Sequence, residues 1–344
     1  MKTKKTTVLF LGGSLFLLFL VIVISSCVGA ANISPVDALK IIISKIFNLN
    51  IDFESIKESA VTIVYNIRLP RILVAMIVGG ALSVAGVTYQ GMLKNPMADP
   101  YVIGVSSGAA LGATIAIAFN FSFRLLGLSS TSIVAFFSAI VVIIVVYSIA
   151  RVGKKVPMTT LLLSGIAIGN FLTAFTSIVM IFSQSDMKKI MFWTMGSFSG
   201  KGWEQFVSIT PYVLIGIAVI FYYAKDLNII LLGEDTASNL GVNVERVKRI
   251  LLISSTVITA LAVSVSGIIG FIGLIVPHIS RLAIGPDNRK LIPLSFMWGA
   301  VMMIGCDTIA RSLIVQEIPV GIITSIIGAP FFIYMLKSKK KGVI

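Results

Sequence analysis

Side chains able to do acid–base or metal chemistry are sparse in this sequence, and their spacing narrows the choice further. Asp307 is the one acid well inside an apolar run, and it lies four residues before Arg311, the interval at which helix side chains meet. That spacing predicts a local ion pair near one membrane face. A proton relay or ion-coupled carrier would need a run of ionisable residues within the bilayer. His278 is the sole histidine, so there is no imidazole cluster for a metal and no acid–base pair; it reads as a satisfied helix-end residue. Cys27 and Cys306 sit far apart in apolar stretches without metal-ligand spacing and read as packing or lipid-facing residues. No Gly-x-x-x-x-Gly-Lys-Ser/Thr loop occurs, so the P-loop route to ATP is excluded and any nucleotide energy must come from a partner. No catalytic residue, metal ligand or cofactor is assigned to the chain.

One polar segment has the makings of a contact element. In Leu232-Gly233-Glu234-Asp235-Thr236-Ala237-Ser238-Asn239-Leu240-Gly241 the acids suit a helix N-terminus and Gly241 suits its end. The result is a helix of about two turns, too short to span a membrane, so it belongs in a loop or against a partner.

The elements that position these groups follow from composition. Of 344 residues 57% are hydrophobic and only 12% charged, which leaves too little polar surface to coat a water-soluble body. The solvent for most of the chain is therefore lipid. The net charge of +14 does not point to nucleic acid, because the lysines and arginines lie in short clusters between apolar runs.

A crossing needs about 20 apolar residues. Ten segments qualify, at 8–30, 69–92, 100–119, 132–150, 160–182, 207–224, 250–267, 269–284, 291–312 and 319–336, the eighth short and open to a break or kink at Pro277. The fold class is an all-α integral membrane protein of about ten transmembrane helices, a single domain over 1–344. An even number of crossings puts both termini on one side, and the lysines of Met1–Thr7 and Lys337–Ile344 make that side cytoplasmic. The same choice places the clusters at Arg151 and Lys155, Lys225 to Arg249, and Arg281 to Lys290 inside, with the coupling segment at about 226–249. Ile24-Ser25-Ser26-Cys27 admits a second reading, a lipoprotein cleavage box in place of a retained first helix.

Small residues recur at helix spacing in Gly79/Ser83/Gly86, Gly104/Gly108/Gly112, Gly165/Gly169 and Gly267/Gly270/Gly273, which predicts close helix packing. The last set lacks the strand and acidic partner of a dinucleotide loop. Arg68-x-x-Arg71-Ile-Leu and Arg246-x-x-Arg249-Ile-Leu form a faint internal echo of an inverted repeat.

Over nearly its whole length the sequence resembles the FecCD-type permeases of binding-protein-dependent ABC importers for iron-siderophores, haem and cobalamin. The resemblance rests on Arg68-Leu-Pro-Arg71, Asn95-Pro-Met-Ala-Asp-Pro100 leading to Gly104-Val-Ser-Ser-Gly108, Gly233-Glu234 to Leu240-Gly241, Gly270-Phe-Ile-Gly-Leu-Ile-Val-Pro-His278-Ile-Ser-Arg281, and Pro319-Val-Gly321 to Gly328-Ala-Pro330, in that order. It implies a permease dimer, of identical or sister chains, in the bacterial cytoplasmic membrane. Two cytoplasmic ATPases would carry the ATP and Mg, and one external substrate-binding protein would deliver the cargo. It further implies that Arg68, Arg71 and Arg311 receive acidic residues of the binding protein, an assignment that competes with ordinary snorkelling anchors. Glu234, Asp235, Thr236, Ala237, Leu240 and Gly241 would form the coupling helix on the ATPase, and Met158 and Thr159 would belong to an inner gate. The rival function class is a stand-alone secondary transporter driven by an ion gradient, with Asp307 as its only available acid.

Overall fold

Aliphatic runs that water would not tolerate become long helices, because lipid leaves a backbone no partner except itself. The structure, a computed structural model, describes residues 4–29, 31–47, 56–153, 155–314 and 316–340. The order is α1 (Lys4–Cys27), α2 (Pro35–Phe47), α3 (Glu58–Thr62), a π turn (Ile63–Arg68), α4 (Leu69–Met92), α5 (Val105–Ala118) and a two-stranded hairpin of β1 (Arg124–Leu125) and β2 (Leu128–Ser129). There follow α6 (Ser130–Ala150), α7 (Met158–Phe182), α8 (Met187–Thr194), α9 (Trp203–Tyr222), α10 (Ala224–Leu231), α11 (Glu234–Asn239), α12 (Val244–Ser266), α13 (Ile272–Ile284), α14 (Asn288–Ser312) and α15 (Val320–Lys340).

Seven of these segments are long and apolar enough to cross a membrane, namely α1, the continuous α3–α4 rod, α6, α7, α9, α12 and α14; three shorter apolar helices are α5, α13 and α15. Together they occupy the ten segments predicted as crossings. Among the elements outside that pattern is α2, whose Ala38, Ile41 and Ile42 are buried in one cluster with Val64 and Leu69.

Helix α4 is the axis of the bundle and packs on α14, α12, α13 and α9. Small residues make this possible: a Cβ on Gly79 would overlap the Gly299 carbonyl of α14, and one on Gly86 would overlap the backbone of Gly273 in α13. Large apolar side chains of α6, α7 and α9, such as Ile144, Phe171 and Ile215, point outward instead, as expected where lipid or another membrane helix is the neighbour.

The expected break near Pro277 lies elsewhere. Helix α13 continues through Pro277 without a break, and the chain is unwound ahead of the helix, between Ser266 and Ile272. Gly267 and Gly270 therefore belong to this unwound stretch and not to a helix face. The Tyr101 hydroxyl donates to the Ile269 carbonyl at 3.0 Å and accepts from the Ile269 N–H at 3.3 Å, while the Ser197 N–H caps the Ser266 carbonyl. Non-helical backbone at membrane depth is stable only when its polar groups are met in this way. Beyond it, Pro277 cannot donate to the Gly273 carbonyl one turn back, and Gln90 Nε2 lies 3.5 Å from that carbonyl and 3.1 Å from that of Leu274.

Helices α1 and α14 run parallel, with the Trp298 indole N–H donating to Ser14 Oγ at one level and Ser25 paired with Thr308 farther along. The Lys4 end of α1 thus shares one end of the bundle with Asp287 and Asn288, which bond Asn228 of α10. Arg311 lies at the opposite end. The two Arg-x-x-Arg echoes open α4 and α12 from opposite ends of the bundle. Residues 1–3 and 341–344 fall outside the described residues, so the predicted placement of the chain's own ends lies there too.

Candidate functional site

Two polar constellations occupy the two ends of the bundle. At the first, the chain enters α4 through the π turn, a widening that precedes Pro70 and accommodates a residue with no N–H and a ring that crowds the preceding turn. Arg68 and Arg71, three apart, leave this turn on one face. The Arg68 guanidinium is buried and donates to the carbonyls of Ser26 at 2.8 Å, Cys27 at 2.9 Å and Ala31 at 2.6 Å, capping the C-terminus of α1 where a cation suits the helix dipole. Arg71 is spent on two carboxylates. Its Nε and Nη2 grip Asp307 at 3.0 and 2.8 Å, and its Nη1 donates to both oxygens of Glu317 at 2.8 and 2.9 Å.

The predicted Asp307–Arg311 pair is therefore secondary. Arg311 Nε stands 3.9 Å from Asp307, and Arg311 Nη2 donates mainly to the carbonyl and hydroxyl of Ser25. Four-residue spacing named the partner on the same helix, whereas the bidentate fork geometry of Arg71, 236 residues away, won the carboxylate. Nor do these arginines reach freely into water as snorkelling anchors would: the Arg71 and Arg311 side chains are 10% and 7% exposed, and Asp307 is 1% exposed. Glu317, in the α14–α15 connection, is 36% exposed. Burial works to raise its pKa, but its bonds to Arg71 outweigh this and hold the carboxyl below its ordinary value. Three guanidiniums against two carboxylates leave an excess of positive charge on a cleft of about 1010 Å³ that Arg68, Arg71, Arg311 and Glu317 line. The arrangement suits recognition of carboxylates.

At the opposite end, α10 and α11 project between α9 and α12. Asp287 accepts from Asn228 at 2.7 Å and from Arg289, whose bonds hold its carboxyl down to about 2 against the opposing effect of burial. Of α11 only Ala237 is buried, so Glu234, Asp235, Thr236, Ser238 and Asn239 face outward, flanked by exposed Leu232 and Leu240. A closing motif stops the helix: the Gly241 N–H bonds the Ser238 carbonyl and the Val242 N–H bonds that of Ala237, with Gly241 at φ +84°. The helix is shorter than the predicted two turns by this stop. Glu234 accepts from buried Lys248 of α12 at 2.5 Å, which fixes the angle of α11 on the bundle.

Met158 is half-buried at the start of α7, and Thr159 beside it is exposed. Met158 shares a small crevice with Tyr147, Glu245, Lys248 and Arg249. The structure thus brings the two predicted gate positions to the α11 end, next to the lysine that anchors α11. Sequence reasoning missed Glu317, Lys248 and the Asn228–Asp287 contact. Only Asp287 carried a local signal, as an acid just ahead of a helix.

The profile of the FecCD transport family matches residues 17–338. This chain belongs to the FecCD transport family. It is accordingly an ABC-importer permease and a multi-pass membrane protein. Over 285 residues it is 45% identical to the cobalamin import system permease protein BtuC of Halobacterium salinarum, covering 83% of this chain and 76% of that one. It is 36% identical over 329 residues to the hemin transport system permease protein HmuU of Yersinia pestis, covering 95% of each. Among solved structures, a metal-chelate type ABC transporter in an inward-facing conformation superposes with a TM-score of 0.83 at 31% identity, covering 95% of this chain and 98% of that one. Relatives named for cobalamin and for hemin align with most of this chain, so the likeness alone does not select the ligand.

Proposed function

We propose that this FecCD permease passes a bulky metal chelate of the iron-siderophore, haem or cobalamin type into the cytoplasm, on ATP hydrolysed by two partner subunits. A second permease chain, a copy or a sister, completes the path in the bacterial cytoplasmic membrane. A binding protein docks on the end carrying Arg68, Arg71 and Arg311. The ATPases engage Glu234 to Gly241 at the other end, and Met158 and Thr159 close the inner side of the path. The relative at 45% identity makes a corrinoid the first ligand to test.

The observation that carries this reading is α11 itself, a six-residue helix held to the bundle by Ala237 and the Glu234–Lys248 bond while every other side chain is offered outward. A helix this short has no stability of its own. Its outward face is therefore maintained by the bundle for something to press on. Movement of the ATPases transmitted through two such helices would rock the permease halves between inward and outward access.

The test is reconstitution with the ATPase subunits. Replacing Glu234–Leu240 with a Gly/Ser linker should leave ATP hydrolysis running while uptake stops, and full stimulated uptake in that variant removes α11 from the mechanism. Uptake driven by an ion gradient in liposomes, without any ATPase, would establish the secondary-transporter reading instead. That reading needs an exchangeable intramembrane acid, and Asp307 is already gripped by Arg71.

A further inference from the structure

Arg71 holds two acids of opposite character. Asp307 projects from the long helix α14 and is 1% exposed, and its geometry is set by backbone that cannot shift without disturbing the α4–α14 crossing. Glu317 comes from the short α14–α15 connection, is 36% exposed, and lines the cleft that the arginines share. It takes the outer nitrogen of the guanidinium with both oxygens, at 2.8 and 2.9 Å. An end-on contact of this kind is what remains open to a carboxylate from outside, because Asp307 already takes Nε and Nη2. A buried carboxylate such as Asp307 has nowhere to go if its cation is taken, whereas a half-exposed one on a connecting segment can return to water at little cost.

We propose that Glu317 is an internal stand-in for a docking partner's carboxylate, occupying Arg71 Nη1 while the cleft is empty and yielding it when an acidic group of the binding protein arrives. Asp307 stays in place throughout and keeps Arg71 aimed. The inference rests on the docking role given above to the arginine end. The partner it fits presents a carboxylate at the tip of a segment narrow enough to enter the cleft. Glu317 then sets the strength and selectivity of docking, since each incoming acid must outcompete one already seated. A neutral or basic tip gains nothing by displacing it.

The experiment measures docking of the importer's purified substrate-binding protein to the permease–ATPase complex in nanodiscs. Glu317→Gln removes the competing charge and is expected to tighten docking by about three- to tenfold, the range for losing a half-exposed ion pair that the partner otherwise has to break. Glu317→Ala, which also removes the hydrogen-bonding oxygens, is expected to do the same. Tightening in either variant supports the stand-in. Unchanged or weaker docking in both overturns it, because a merely structural Glu317 would loosen the cleft. Arg311→Glu measured alongside separates the two levels. If it leaves docking unaltered, the docking assignment itself fails. If it weakens docking while both Glu317 variants stay neutral, only the stand-in is lost.

Discussion

The two polar ends of this permease handle charge in opposite ways. At the arginine end, Arg68, Arg71, Arg311 and Asp307 turn inward and satisfy one another or the end of α1, leaving Glu317 as the half-exposed member. At the α11 end, Lys248 is buried as a single anchor, and the acids and amides of the short helix face out. One end locks three helices together and lines a cleft; the other holds a short helix by Ala237 and one ion pair. The difference teaches that charge near a membrane surface need not mean solvent contact. A guanidinium with five donors can staple helices, while a six-residue helix with a single small buried residue leaves its other side chains exposed.

The comparison breaks most visibly at Arg71. Arg71→Ala would leave buried Asp307 without its hydrogen-bonded cation and with only Arg311 at 3.9 Å, at a cost of about 3 kcal/mol. A large drop in thermal midpoint in detergent is expected; a midpoint equal to that of the unaltered protein would mean that the arginine end is not a structural lock. At the other end, Gly241→Ala places a Cβ at φ +84° and costs about 1–2 kcal/mol of local strain. Since no atom would crowd that Cβ, the bundle should melt as before while ATP-dependent uptake falls. A matching fall in thermal midpoint would show that α11 is part of the core and not a lever.

The smallest effect is a titration at Asp287, which ties α10 to the start of α14. Its carboxyl is held down to about 2 in the folded protein, against about 4 when unfolded. The native state therefore binds the proton less readily. The stabilisation is present above about pH 4 and is lost as pH falls through about 2. Asp287→Asn should lower stability slightly at neutral pH, with the gap to the unaltered protein closing as pH falls from about 4 to about 2. An identical acid limb in both proteins would remove Asp287 from the account.

Much of this was legible in advance, and the reasons are local. Ten apolar runs, the glycine faces of α4 and α5, and the stop at Gly241 all follow from rules that act within one helix or turn. What stayed hidden depends on distant partners. Four-residue spacing can see Arg311 beside Asp307, but nothing in the chain announces that Arg71 will arrive from α4 with better geometry. Pro277 advertised a break, yet the unwinding lies before it, because Tyr101 and Ser197 supply partners for the backbone there. Glu317 sits in a connection with no pattern of its own. The amphipathic α2 was too short to register as a crossing and was passed over, although Pro35 and Asp37 at its start are ordinary opening signals.

The pair of hydrogen bonds between Tyr101 and Ile269 carries one more implication. A single phenol meets two successive peptide units, the N–H before the Ile269 Cα and the carbonyl after it, so pulling the α5 side of the bundle away from the α12–α13 junction would strand both groups in apolar surroundings at several kcal/mol each. Those pieces must travel together as one block during transport. In the proposed rocking, any sliding has to take place along seams where no such tether is stitched.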